Sequence, residues 1–318
     1  MTSSPSASPS SPAWPAAEPT EVQLRAGDAR LVVSLRGGGL RELVVGDWAV
    51  LDGYPAGAVP KGRRGGLLLP WPNRLRDGRW SWQGTDLQLD VASPSSPNAM
   101  HGLLSWQPFA VLAATEDAVT VGTTVEPRPG YPFRLAVAVD HALSATGLRV
   151  TVRVRNLGDQ DAPVGVGMHP YLHVGAGQAT DGADGDLGEA TLHVPARTAL
   201  DLDGGLPAGG RSPFDGDVGR LGDRVLDDAL TDLTRDDDGW ARLRLAGPGG
   251  ELTLAVDQAW PWLQVFSADT LPEGQRRRSL AVEPMTCPPN ALADGTDLVV
   301  LAPGDAWSGS WALGWQPA

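Results

Sequence analysis

The sequence predicts an all-β protein built as one large antiparallel β-sandwich. Three observations point there: many short runs in which apolar and polar residues alternate, turn residues between those runs, and no long amphipathic helix. Taken in order, residues 1–20 are dominated by Ser, Pro and Ala. Such a segment buries too little apolar surface to offset its ordering entropy, so a disordered tail is expected there. From residue 21 the period is two. Arg134–Asp140, Gly147–Asn156, Ala241–Leu245 and Glu251–Asp257 each place apolar side chains at every second position, as a strand with one wet face does. Pro127-Arg128-Pro129-Gly130 and Gly247-Pro248-Gly249-Gly250 supply turns. The stretch 175–190, rich in Gly, Asp and Ala, reads as an exposed loop. No repeat and no interdomain linker interrupts residues 21–318, which are expected to form a single domain.

Composition narrows the function classes. The chain has 318 residues and a formal net charge of −13, with 40 Gly and 28 Pro. A nucleic-acid binder carries a basic face, so no nucleic-acid partner is expected. No apolar run reaches the roughly 18 residues that a membrane span requires, and no membrane association is expected. The N-terminus lacks the basic start and apolar core of a secretory signal. The lone Cys287 excludes an internal disulfide framework and a multi-cysteine zinc site, and suits a reducing, cytoplasmic location.

Chemistry has few places to sit. Among five histidines, His141 and His193 lie in alternating strands and read as structural. His101 follows a Ser/Pro loop and precedes Gly102, where a backbone free to bend can aim a side chain into a cleft. His169 precedes Pro170, which rules out a helix interior, so His169 and His173 are not a helical metal pair. With no compact set of His and carboxylate ligands, no metal site is expected. Glu283 follows the apolar run Leu280-Ala281-Val282, reads as the end of a short strand, and precedes Pro284. From that segment alone it reads equally as an ion-pair partner or as a working group. Asn73 and Arg74 sit in a rigid Pro-flanked segment beside Trp71, and Arg offers several fixed donors for hydroxyls. Asp257 precedes Trp260 in a chain with 12 tryptophans, whose indole faces stack on sugars but also fill cores.

Taken together, these segments resemble the aldose 1-epimerase (galactose mutarotase-like) family. The resemblance rests on Asn73-Arg74 with Gly78-Arg79-Trp80, His101-Gly102, Gly130-Tyr131-Pro132, His169-Pro170-Tyr171, Pro213-Phe214-Asp215, the Glu283-to-Asn290 segment and Leu301-Ala302-Pro303-Gly304. Asp227 through Leu233 and Glu283 through Cys287 look closest to a bacterial side-branch. The resemblance implies the galactose mutarotase-like supersandwich, no cofactor, and a small-molecule sugar, an aldohexose, as substrate. It makes Glu283 the base on the anomeric hydroxyl and His169 the acid on the ring oxygen, with His101 beside that oxygen. Arg74 and Asp257 would bind hydroxyls, and Asn73, Tyr171 and Trp260 would complete the sugar site. Met168 before His169, and Leu172-His173 after Tyr171, depart from the family's usual Asn and Phe-Asn, so a different hydroxyl-binding shell is expected. Two alternatives remain beside anomer interconversion of a free hexose. One is a hexose-6-phosphate epimerase, with Arg63-Arg64 or Arg276-Arg277-Arg278 as the phosphate site. The other is a non-catalytic carbohydrate-binding protein of the same fold.

Overall fold

Alternation becomes architecture most plainly in the long hairpin of Leu135–Ser144 and Gly147–Asn156, paired residue for residue from Leu135↔Asn156 to Ser144↔Gly147. The computed structural model describes residues 20–91, 97–177 and 187–318. The hairpin lies within a nine-stranded antiparallel sheet. Its spatial order is Ala110–Ala114, Ala118–Val125, Leu135–Ser144, Gly147–Asn156, Ala306–Pro317, Gly250–Val256, Ala241–Gly247, Thr191–His193 and Gly219–Arg220. A second, eight-stranded sheet runs Leu206–Pro213, Thr198–Asp203, Asp227–Thr231, Trp262–Phe266, Leu280–Met285, Gly167–Met168 and Leu67–Leu68, with Tyr171–Leu172 also on the Leu280–Met285 strand. Glu21–Ala26, Ala29–Ser34, Leu40–Val45 and Trp48–Ala49 form a four-stranded sheet beside them.

The two large sheets bury their facing rows in one apolar cluster. Val137, Val139, Val150, Val152, Leu252, Leu254 and Leu313 come from one sheet, and Leu230, Leu263, Val265, Leu280 and Val282 from the other. Period two then turns Gln264, Glu283 and Met285 to the opposite face of the second sheet. Register places Ala229, Gln264 and Glu283 in one row across three neighbouring strands.

Two sequence expectations change. The Glu283 strand does not end there but runs through Pro284 to Met285. The N–H groups of Val282 and Thr286 donate to the carbonyls of Pro170 and Val166, at 3.1 and 2.9 Å. Pro284, midway between them and opposite Met168 in the same register, lacks the N–H that would make the rung between those two bonds, so the ladder carries on past one missing donor. The end of the stretch read as an exposed loop is inside: Leu187 and Ala190 belong to the core. Residues 178–186 of that stretch, and 1–19 of the expected tail, lie outside the described residues. Among the described residues the sole α-helix is the short turn Ala291–Asp294.

His141 lies on the inward face of its strand, fully buried, and neither ring nitrogen has a hydrogen-bond partner among the described residues. Burial lowers its pKa to about 3. The unfolded chain binds that proton near pH 6.5, so the group's contribution to stability is intact above pH 6.5 and lost as pH falls toward 3. His141→Leu removes both unsatisfied nitrogens, and is expected to stabilise the fold by about 1–2 kcal/mol. Thermal melts between pH 4 and 7 should show a higher Tm and a shallower acid slope in the variant. A lower Tm at pH 7 would contradict this account.

Candidate active site

His169 sits in the break between Gly167–Met168 and Tyr171–Leu172, opposite Glu283 in the register that pairs Gly167 with Met285 and Tyr171 with Ala281. Its N–H donates to the Gly66 carbonyl at 3.0 Å and its carbonyl accepts from Gly65 N–H at 2.8 Å. The backbone is therefore tied to a neighbouring segment rather than to the sheet, while the side chain reaches Glu283. Nε2 of His169 lies 3.2 Å from Oε1 of Glu283, and both side chains are almost wholly buried. The His101 ring meets the His169 ring edge-on, with centroids 5.3 Å apart.

The His101 turn is built by close backbone approach. His101 N–H donates to the Asn73 carbonyl at 2.9 Å, and Asn73 N–H donates back to His101 Nδ1 at 3.2 Å. With Nδ1 accepting, neutral His101 carries its hydrogen on Nε2. Gly102 has φ +72°, and a Cβ there would meet the Leu69 carbonyl oxygen at 2.1 Å. That contact explains the His-Gly pair. Asn73 in turn holds Arg74, its Oδ1 accepting from Arg74 N–H at 2.8 Å and from the guanidinium at 3.3 Å. The Arg74 guanidinium lies 3.9 Å from Asp227. Gln264, in the Glu283 row, donates to Asp227 at 2.7 Å.

Behind His169 the Tyr171 ring is stacked parallel at 5.0 Å, and the Arg64 guanidinium also lies over the Tyr171 ring, 5.0 Å from its centroid. Arg64 is itself held by buried Asp52 at 3.0 Å, which also takes Arg278 at 2.7 Å and the Ser279 hydroxyl at 2.9 Å. Such a stack fixes the plane of the imidazole.

Asn73, Arg74, His101, His169, Tyr171, Asp227 and Glu283 line a cleft of about 330 Å³ with Pro60, Gly62, Arg63, Met100, Phe266, Thr270 and Leu271. That volume suits a small molecule. A larger, open groove of about 1290 Å³ on the nine-stranded sheet is lined by no histidine or carboxylate. Its size does not make it a site for proton-transfer chemistry.

Burial dominates the electrostatics. It pushes the Glu283 carboxyl well above the usual carboxylate range, the nearby Asp227 charge adds to the rise, and Arg74 opposes it. It lowers His169 to about 3, with Arg63 and Arg64 contributing to the fall. His101 is held well below its ordinary value by burial, then by His169, Arg63 and Arg74. At 3.2 Å, Glu283 and His169 behave as a couple that holds one proton near neutrality, since a second charge of either sign is penalised.

The cleft thus brings together His101, His169, Glu283, Asn73, Arg74 and Tyr171. It does not include Asp257 or Trp260, contrary to expectation. Asp257 terminates the Gly250–Val256 strand in the other sheet, where its carboxylate accepts from the N–H groups of Ser310 and Ala259 at 2.6 and 3.0 Å. Trp260 is fully buried and packs edge-on against Trp307 at 5.2 Å. The carboxylate beside Arg74 is instead Asp227, which opens its strand in the Asp227-Asp228 pair. Two adjacent acids at a strand start were the available signal for it. The departures at Met168 and His173 also lie off the cleft: Met168 is core, and His173 holds the Ala49 carbonyl at 2.7 Å. Among the described residues no three His, Cys, Asp or Glu side chains form a metal-binding group.

The aldose 1-epimerase family model matches residues 20–313. The chain belongs to the aldose 1-epimerase family. YihR of Escherichia coli K12, an uncharacterized protein, is 32% identical to this aldose 1-epimerase family member over 287 residues, 89% of each chain. Among solved structures, the GalM/aldose epimerase homologue from C. elegans superposes with TM-score 0.79 at 17% identity, covering 94% of this chain and 99% of that one. Galactose 1-epimerase from Lactobacillus acidophilus NCFM gives TM-score 0.74 at 17% identity, covering 94% of each. The galactose mutarotase-like sandwich read from the sequence is therefore the family's fold.

Proposed function

We propose that the protein interconverts the α and β anomers of an aldohexose by acid–base opening and closure of the hemiacetal ring. The observation that carries this reading is the buried Glu283–His169 couple, 3.2 Å apart at the floor of a sugar-sized cleft. The anomeric hydroxyl and the ring oxygen sit on one carbon, so two proton-transferring groups at hydrogen-bond separation meet both oxygens at once. Once the couple's proton has passed from Glu283 to His169 across their 3.2 Å contact, Glu283 takes the proton from the C1 hydroxyl while His169 delivers one to the ring oxygen as the C1–O bond breaks. Rotation about C1–C2 presents the other face of the aldehyde, and the same couple runs in reverse. No proton is gained or lost overall, which suits a couple that holds one.

His101, with hydrogen on Nε2, donates to the ring oxygen and stabilises the developing charge there. Arg74 and Asp227, held by Asn73 and Gln264, orient ring hydroxyls, and Tyr171 sets the His169 plane. A non-catalytic sugar binder has no use for a buried acid–base couple, and that is the feature against it.

The test is polarimetry of freshly dissolved α-anomers across a panel of aldohexoses. The protein is expected to speed equilibration well beyond the spontaneous rate on at least one of them. Binding without acceleration on every sugar would overturn the proposal.

A further inference from the structure

The sequence offers five arginines for an anionic substituent, and the structure separates them. Arg64 and Arg278 clasp buried Asp52. Arg276 donates to the Leu271 carbonyl at 3.0 Å. Arg277 pairs with Asp269 and donates to the carbonyls of Arg224 and Gly222. Arg63 alone of the five lines the cleft, and its guanidinium has no hydrogen bond or ion pair among the described residues. It is half-buried, in a chain whose acidic residues outnumber its basic ones by 38 to 25. A desolvated cation left without a carboxylate in such a chain lacks the compensation that buried charges normally receive. Burial accordingly lowers its pKa.

Its backbone is also committed to the position. Arg63 has φ 59° and closes the 3-10 turn Lys61–Arg63, directly before the segment whose Gly65 and Gly66 hold the His169 backbone. A non-glycine residue in the left-handed region is held there by its surroundings. Arg63 is close enough for its charge to act on both His101 and His169. In the proposed mechanism those rings face the ring oxygen. The second carbon on that oxygen is C5, which carries the exocyclic C6.

We infer that Arg63 recognises an anionic group on C6, so that the preferred substrate is a hexose bearing a C6 carboxylate, sulfonate or phosphate. The inference rests on the mutarotase reading for its orientation of the sugar. A guanidinium offers paired donors to any of these oxyanions, and one good charge-assisted contact changes affinity by about ten- to a hundred-fold.

The experiment compares kcat/KM for anomer exchange, by NMR, on a neutral hexose and on its 6-carboxylate, 6-sulfonate and 6-phosphate counterparts. Wild type is expected to favour at least one anionic sugar by ten-fold or more, and the arm with the highest value identifies the anion. Arg63→Gln should lower kcat/KM on that sugar at least ten times more than on the neutral one, with Arg63→Lys recovering part of the difference. Equal losses on both sugars, or wild-type preference for the neutral sugar, would overturn the inference. Calorimetric binding of the same sugars separates it from the mutarotase reading. Arg63-dependent binding of the anionic sugar with no exchange refutes the reaction and keeps the ligand class. Exchange on neutral sugars with no Arg63-dependent preference does the opposite.

Discussion

Glu283→Gln is expected to lower the mutarotation rate by about 10³-fold, within the 10²–10⁴ that a positioned acid or base supplies. Gln keeps the shape and a hydrogen bond toward His169 but can neither take the C1 proton nor return it. The fold should survive, because burial raises the Glu283 carboxyl well above the usual range and so penalises its charged form. A neutral amide in its place carries no charge for the buried site to penalise. The sign can be checked independently. A folded-state pKa above the unfolded value means that stability falls as pH rises through it, so the variant should lose less stability at alkaline pH than wild type. The measurements are polarimetry at saturating sugar and thermal melts at pH 7 and 9. A variant rate within three-fold of wild type would remove Glu283 from the mechanism, whatever the melts show.

Much of the fold was legible because burial on one face writes period two into the sequence. Leu135–Ser144 and Gly147–Asn156 alternate buried and half-buried residues along most of their length. Where both faces are covered the signal disappears. All six residues of Leu280–Met285 are buried, so neither its length nor the direction of Glu283 followed from the pattern, and Pro284 suggested a stop. From its own segment His169 was legible only as a non-helical histidine, and its expected role came from the family resemblance. What brings it to Glu283 is a gap between two two-residue strands, and pieces that short leave no periodicity to read.

The site residues divide by the same reasoning. The short motifs that aligned with the family turn out to mark close backbone approaches. Gly102 presses on Leu69, and Gly130 stands where a Cβ would meet the Gln88 carbonyl. Asn290 N–H donates to the Arg74 carbonyl at 2.7 Å, tying the Glu283 segment to the Asn73-Arg74 segment. Asp257 was misplaced because a carboxylate next to Trp260 and Trp262 resembles a sugar platform in sequence. In space it caps a strand end of the other sheet. Asp227 reaches the cleft only through the register that sets Asp227 against Phe266 and Gln264 against Glu283. That pairing joins residues far apart in the chain, so the adjacent acids Asp227 and Asp228 mark a strand start but not the cleft it reaches.

His169→Asn is expected to cost a further rate loss of the same order, about 10²–10⁴-fold, with a separate signature in pH. In wild type a second proton on the couple is resisted because burial lowers His169 to about 3, while loss of the shared proton is delayed by the raised Glu283 carboxyl. The rate should therefore stay level across pH 6.5, where a free imidazole titrates, and fall only on the alkaline side as the couple is emptied. An acid limb centred near 6.5 would contradict the couple. The variant also tests burial directly. The unfolded chain protonates a histidine near pH 6.5 and the folded one only near 3, so His169 contributes stability that is lost as pH falls through that window. Asn removes the penalty, and melts from pH 4 to 7 should show a shallower acid slope although activity is nearly gone. Loss of activity with an unchanged slope would leave His169 catalytic but not desolvated. Activity within ten-fold of wild type would take it out of the proton path altogether, and His101, the neighbouring ring at 5.3 Å, would have to carry the acid's role.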